Sequence, residues 1–126
     1  MDDILTVPDN APITRPLDTA VLERILDFGD AEMRAALCAQ LQTDFLRLRD
    51  ALGGEDGSAV ARTAHELKGL AATVGASRVA TMARSLDSVA DSLAPAARAA
   101  MVIPLQREVD AVLDALSRVN GSAAAQ

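Results

Sequence analysis

Residues 31–52, AEMRAALCAQLQTDFLRLRDAL, decide the fold because their large apolar side chains recur every three or four positions. The recurring residues are Met33, Leu37, Leu41, Phe45, Leu48 and Leu52. This spacing forms one apolar stripe along an α-helix and does not fit the two-residue period of a strand. Asp30 precedes the stretch as an N-cap candidate, and Gly53 and Gly54 follow it. The sequence therefore predicts a long amphipathic helix here.

The flanking sequence predicts four more helices from the same spacing. The first runs from Thr19 to Phe28, after Asp18 as N-cap, and stops at Gly29. The third begins at Ser58 as N-cap and ends at Val74, before Gly75. The fourth carries Val79, Met82, Ala83, Leu86, either Val89 or Ala90, and Leu93, and lasts until Pro95. The fifth ends near Val119, and Pro104 either opens it or kinks a longer helix that begins near Ala96.

Short connections between long amphipathic helices favour antiparallel neighbours. The predicted fold is all-α: an up-and-down antiparallel four-helix bundle with an additional short N-terminal helix. We expect a flexible N-terminal lead over residues 1–16, the bundle over residues 17–119 and a disordered tail over residues 120–126.

Composition and charge exclude several classes of protein. The 126 residues are 50% hydrophobic but only 2% aromatic, and the formal net charge is −6. This charge repels phosphate backbones and anionic lipids, so neither nucleic acid nor a membrane is an expected partner. No apolar run approaches the ~20 residues of a membrane span, and the acidic start lacks the basic region of a signal peptide. The single Cys38 is treated as an ordinary small apolar residue. We expect a monomeric cytoplasmic protein.

The chemistry centres on His65 and Lys68, which are the only histidine and the only lysine. A helical wheel places the residues of the core face of this helix opposite His65, which therefore faces solvent. These residues are Val60, Thr63, Leu67, Leu70, Ala71 and Val74. Ala61, Arg62, Lys68, Gly69 and Ala72 surround His65. A glycine inside a helix costs ~1 kcal/mol relative to alanine, so Gly69 suggests close approach by another molecule.

This arrangement is typical of a phosphoryl-accepting site. A solvent-facing imidazole is largely neutral at pH 7 and is already nucleophilic. Lys68 lies one turn away and can bind arriving phosphoryl oxygens. From Ser58 to Leu86 there are four basic residues and one acidic residue, so the acidic chain keeps its cationic region around His65. These observations alone leave open that His65 is merely a solvated surface side chain.

The segment Ala64-His65-Glu66-Leu67-Lys68-Gly69, followed by Gly75-Ala76, resembles the signature of histidine-containing phosphotransfer (HPt) domains. That signature has His, any residue, Leu, Lys and Gly, with a second Gly six positions later. Phe45, the Gly-rich loop before the His helix and the Arg-Val-Ala-Thr-Met-Ala stretch after Gly75 also have family counterparts. The resemblance covers roughly residues 17–119.

The resemblance implies a bundle whose histidine takes a phosphoryl group from an aspartate of one receiver domain and passes it to another. His65 would be phosphorylated, Lys68 would neutralise the phosphate and Gly69 would leave room beside the ring. Many members have Ser after this Gly, where this chain has Leu70. Alignment makes Gln40 the best candidate for an additional hydrogen bond to the imidazole.

The first helix carries two apolar stripes. Leu17, Val21, Ile25 and Phe28 lie within ~80° of one another, whereas Leu22 and Leu26 lie further round. Either both stripes are buried or one stays available for a partner. The resemblance favours a surface that binds receiver domains of response regulators or hybrid histidine kinases. Its candidate residues are Val21, Ile25, Phe28, Met33, Ala61, Arg62 and Ala72.

Three alternatives remain at this point. The chain could be a non-catalytic helical adaptor in which His65 is incidental, a metal-binding or hydrolytic bundle, or a dimerisation bundle of a histidine kinase. The metal alternative lacks Glu-x-x-His pairs and a second imidazole. No Gly-rich nucleotide loop is present, so we expect a phosphoryl carrier without ATP-dependent kinase activity. We expect no cofactor in this chain and Mg²⁺ only in the receiver.

Overall fold

The computed structural model describes the backbone of residues 15–124 and the side chains of residues 15–119. Predictions for residues 1–14, 125 and 126 lie outside this range. Within it there are five α-helices, one 3₁₀ turn and no strand, which confirms the all-α prediction. The helices are α1 (Thr19–Leu26), α2 (Ala31–Ala51), α3 (Gly57–Val74), α4 (Ser77–Val89) and α5 (Pro95–Ala124), and the 3₁₀ turn (Ala90–Ser92) follows α4.

Aspartate side chains cap the first three helices. Asp18 accepts a hydrogen bond from the Ala20 backbone N–H, and Asp30 accepts one from the Met33 backbone N–H. The predicted cap at Ser58 is wrong, because Asp56 accepts the hydrogen bond from the Ser58 N–H and α3 begins at Gly57. A carboxylate placed before the first turn satisfies an N–H group that has no partner within the helix.

Helix ends deviate most from the sequence prediction. The first helix ends at Leu26 instead of Phe28, and α4 ends at Val89 because the chain tightens into the 3₁₀ turn before Pro95. Of the two predicted forms of the last helix, the structure has the longer one, with Pro104 inside it. It continues to Ala124, so residues 120–124 are helical and not part of a disordered tail.

The long helices pack as antiparallel neighbours. Arg49, near the end of α2, is paired with Asp110 in α5, and the amide of Gln106 donates to the Arg49 carbonyl at 2.9 Å. The beginning of α2 shares a groove with Ala115 and Val119, near the end of α5. The start of α4 is joined to α5 by an Arg78–Glu108 ion pair at 3.4 Å. These contacts confirm the predicted bundle.

The core is built from small and medium aliphatic side chains around one aromatic residue. Phe45 is fully buried and belongs to the same cluster as the inward residues of all five helices. On α3 and α4 the buried positions include Ala64, Ala71 and Ala83, each with no exposed surface. Because alanine keeps helix backbones close together, side chains at the edges of these two helices lie within hydrogen-bonding distance of each other.

Candidate functional site

His65 lies on the solvent-facing side of α3. Its side chain is 70% exposed, whereas Ala64 and Leu67 on either side are completely buried. The inward residues of α3 also include Val60, Ala71 and Val74, which repeat with helical spacing. The amphipathic pattern of this helix therefore fixes the direction of the imidazole, as the sequence predicts.

The imidazole is held by a residue that the sequence analysis missed. Its Nδ1 lies 3.0 Å from Oδ2 of Asp87, on α4. An ionised carboxylate only accepts hydrogen bonds, so Nδ1 carries the hydrogen in this contact. When the ring is neutral, Nε2 then has a free lone pair. The hydrogen bond to His65 lowers the pKa of Asp87, the charges of His65 and Lys68 lower it further, and burial opposes them.

Lys68 completes the cluster. Its Nζ lies 3.6 Å from the same Oδ2 of Asp87, and its side chain is 30% exposed. The ammonium is thus held on the same side of α3 as the imidazole, one turn further along the helix. Asp87 joins the only histidine and the only lysine of the chain into one site.

The hydrogen bond predicted from Gln40 to the imidazole is not formed. The amide of Gln40 donates to Oδ1 of Asp44 within α2, at 3.1 Å. Residues four apart on one helix face each other, so this local partner satisfies the amide. The sequence held one signal for Asp87: it follows buried Ala83 by four residues and therefore lies beside the core stripe of α4.

The surface around the imidazole is open. A Cβ built on Gly69, one turn after His65, would meet nothing within 4 Å outside its own helix backbone. Ala72 on the same side is exposed, Arg62 is exposed and Ala61 is half-buried. Among the described residues, small side chains therefore leave an accessible strip of surface along the outer face of α3.

The neighbouring acidic residue is engaged by another helix. Glu66 accepts a hydrogen bond from Arg47 of α2 at 2.7 Å, and this hydrogen bond lowers the pKa of Glu66. Its carboxylate is therefore directed toward α2 and its charge is offset. Among the described residues, Asp87 is the acidic group bonded to the ring.

An apolar patch lies at the end of α1. Phe28 is 89% exposed and Met33 is 59% exposed. The sulfur of Met33 lies against Gly29, the residue after Phe28, because a Cβ on Gly29 would be 2.6 Å from it. Phe28 also borders a shallow groove with Val21 and Ile25 of α1 and Thr73 of α3. This groove connects the patch to the last turn of the His helix.

The two stripes of α1 have different roles. Leu22 and Leu26 are buried against the bundle, whereas Val21 and Ile25 are half-buried and Phe28 is exposed. The helical wheel places Leu17 on the outer stripe, but Leu17 is buried, because it precedes the helix and the wheel does not describe its direction. The alternative in which both stripes are buried is therefore wrong for this helix.

The fold and site define a class of protein: a helical bundle with an exposed imidazole oriented by a carboxylate and accompanied by an ammonium. A family model described as "Hpt domain" matches residues 32–124. The chain therefore belongs to the Hpt domain family, whose members carry out histidine phosphotransfer in phosphorelays and interact with receiver domains. Comparisons with curated proteins and with solved structures found no match.

No helix among the described residues is both long enough and apolar enough to cross a membrane. No group of three or more His, Cys, Asp or Glu side chains in that range is arranged to hold a metal ion.

Proposed function

We propose that this protein is a phosphorelay carrier whose His65 takes a phosphoryl group from a receiver aspartate on Nε2 and delivers it to another receiver. The observation that supports this most directly is the contact between Nδ1 and Asp87 at 3.0 Å. It leaves Nε2 as the unoccupied nitrogen of a ring that is 70% exposed. The nucleophile is thus oriented and accessible to a second protein.

In the charging step the Nε2 lone pair attacks the phosphorus of a receiver aspartyl phosphate. The new P–N bond forms as the P–O bond breaks, and the aspartate leaves as a carboxylate. Delivery reverses the process with a second receiver: its aspartate attacks the phosphorus, and the electron pair of the P–N bond returns to Nε2. The chain needs no nucleotide for either step.

Lys68 is proposed to stabilise the phosphoryl oxygens during both steps. Its ammonium is held 3.6 Å from Asp87, so it is already on the imidazole side of α3 before a phosphoryl group arrives. A cation placed where negative charge collects stabilises the transition state. We expect Mg²⁺ to bind to the acidic site of the receiver and not to this chain.

Receivers are proposed to dock on the outer face of α3 and the apolar end of α1. Gly69 leaves space for the incoming active site, and the exposed Phe28 and Met33 provide apolar area. We call this the receiver-docking surface; it consists of Val21, Ile25, Phe28, Met33, Ala61, Arg62 and Ala72. We also propose that the protein is cytoplasmic and monomeric.

The decisive experiment incubates the protein with a phosphorylated receiver and examines the isolated chain. We expect an acid-labile, base-stable phosphate on the wild type and none on His65→Gln. Ser85→Ala is a matched control, because it removes an exposed hydroxyl of α4 that bonds only within its own helix. A chain that binds the receiver without gaining phosphate, with His65→Gln equivalent to wild type, would make the protein an adaptor.

A further inference from the structure

We propose that Asp87 keeps the proton on Nδ1 of His65 through both charging and delivery, so that the phosphoryl group moves without any proton leaving the ring. This proposal rests on the proposed function. It assigns Asp87 as a positioning residue, because Asp87 acts on the phosphoryl group through the imidazole and the Lys68 ammonium that it holds.

The contacts give Asp87 this role specifically. Its Oδ2 is 3.0 Å from Nδ1 and 3.6 Å from the Lys68 ammonium, and its side chain is only 25% exposed. The cation beside it favours the ionised carboxylate, which is the form that accepts a hydrogen bond. The carboxylate is therefore a fixed acceptor for the Nδ1 proton.

Two other acidic groups, on α3 and α2, bond to other side chains. Glu66 is bound by Arg47, and Asp44 accepts from Gln40. The charged side chains of α3 and of the elements packed against it are Glu23 and Arg24 of α1, with Asp27 just after it, Glu32, Arg34, Asp44, Arg47, Arg49 and Asp50 of α2, Arg62, Glu66 and Lys68 of α3, Arg78, Arg84 and Asp87 of α4, and Asp91 of the 3₁₀ turn. Among the described residues, only Asp87 bonds the ring.

In charging, this geometry removes the need for a base. Nε2 is the nitrogen without hydrogen, so it attacks phosphorus while Nδ1 retains its proton. The product is an imidazolium that bears the phosphoryl group on Nε2 and the hydrogen on Nδ1. Its positive charge is adjacent to the Asp87 carboxylate, which stabilises it. A carboxylate on Nδ1 that fixes the tautomer and stabilises the imidazolium is an established device for a catalytic histidine.

In delivery, the retained proton decides whether the phosphoryl group can leave. With hydrogen on Nδ1, breaking the P–N bond releases a neutral imidazole. Without it, the leaving group is an imidazolate anion, which is far less stable. Asp87 therefore keeps the phosphoryl group transferable to higher pH. Since the ring carbon Cε1 separates the two nitrogens, the phosphoryl group projects away from the carboxylate.

The first test is the tautomer of the unphosphorylated ring. His65 is the only histidine, so a two-bond ¹H–¹⁵N spectrum contains one imidazole. We expect Nδ1–H in the wild type at pH 8, and a shift toward the Nε2–H tautomer in Asp87→Ala. Asp91→Asn is the matched control, because it removes a negative charge from the following 3₁₀ turn and should keep the wild-type tautomer. A wild-type spectrum dominated by Nε2–H would overturn the proposal.

The second test is the pH profile of delivery. Phosphorylated protein is isolated, mixed with excess unphosphorylated receiver and followed in single turnover from pH 6 to pH 9. We expect the high-pH decline of delivery to begin at a lower pH in Asp87→Asn than in the wild type, because the uncharged amide no longer stabilises the protonated ring.

The asparagine in Asp87→Asn has the same shape as aspartate, and its amide oxygen can still accept a hydrogen bond from Nδ1. This variant therefore separates the effect of the negative charge from the effect of holding the ring in position. Circular dichroism verifies that each variant folds, and Asp87→Asn remains informative if Asp87→Ala does not. A variant that is charged but delivers with the wild-type pH profile would overturn the proposal. If the wild type itself gains no phosphate, the proposed function fails, while the tautomer spectrum still reports independently on Asp87.

Discussion

Replacing Gly69 with alanine should make this protein more stable and a poorer phosphoryl carrier. Alanine is favoured over glycine inside a helix by about 1 kcal/mol. A Cβ at this position meets nothing within 4 Å outside the helix backbone, so no clash offsets the gain. We expect the free energy of unfolding to rise by about 0.5–1 kcal/mol, which corresponds to roughly 2–4 °C in Tm for a domain of this size.

The same methyl group should obstruct transfer. Side chains four residues apart on a helix are neighbours, with Cβ atoms ~5–6 Å apart, so the new methyl lies beside the imidazole of His65. A receiver forced away by ~1 Å loses the in-line geometry, which can cost about 10²-fold in rate. We expect transfer from a phosphorylated receiver to slow by about 10- to 100-fold.

The assay combines thermal unfolding by circular dichroism with single-turnover transfer from a labelled receiver. Ser117→Ala is the matched control, because it raises helix propensity at an exposed position of α5 without changing α3. A Gly69→Ala protein that is stabilised and transfers at the wild-type rate would refute docking over this face. If Gly69→Ala were less stable than the wild type, the conclusion that an added methyl group meets no neighbouring atoms would be wrong.

Four other changes test separate parts of the account. Lys68→Ala should slow transfer about tenfold or more without abolishing it; equal single-turnover rates would refute its electrostatic role. Phe28→Asp should weaken receiver binding in calorimetry while changing unfolding by less than about 0.5 kcal/mol, and unchanged affinity would remove Phe28 from the docking surface. Gly75→Ala should lower the free energy of unfolding by about 1–2 kcal/mol in urea titration, because φ at this residue is +87° and alanine is strained in this left-handed conformation. An unchanged urea midpoint would contradict this strain. A hydrogen bond from Arg34 holds the pKa of Glu23 below its ordinary 4.5, so its stabilisation is present above that value and is lost as pH falls through the lowered pKa. Glu23→Gln should therefore lower the urea midpoint at pH 7 but not near pH 2, and an equal decrease at both would refute this linkage.

Helix identity and the direction of the imidazole were predictable because both depend on short-range periodicity. The buried stripe from Leu41 to Leu52 and the inward face of α3 follow from which residues are apolar and how far apart they lie. The aspartate caps at Asp18 and Asp30 are equally local. Helix ends were less predictable, since competing caps and turns differ by small free energies.

The partner of the imidazole could not be read from the sequence in the same way. Gln40 was chosen by alignment with a family, but a hydrogen bond depends on which helix edges meet. Asp87 reaches His65 because buried alanines let α3 and α4 approach closely and set their relative register. Nothing local to either helix specifies that register.

The sequence by itself determined the helices, the outward direction of His65 and the nearby position of Lys68, because residues along one helix have fixed angular relations. Only the tertiary structure decided that Asp87 holds the ring, that Gln40 does not, and that Phe28 and Met33 are exposed. Those relations join residues on different helices or across a turn, and they are set by how the core packs.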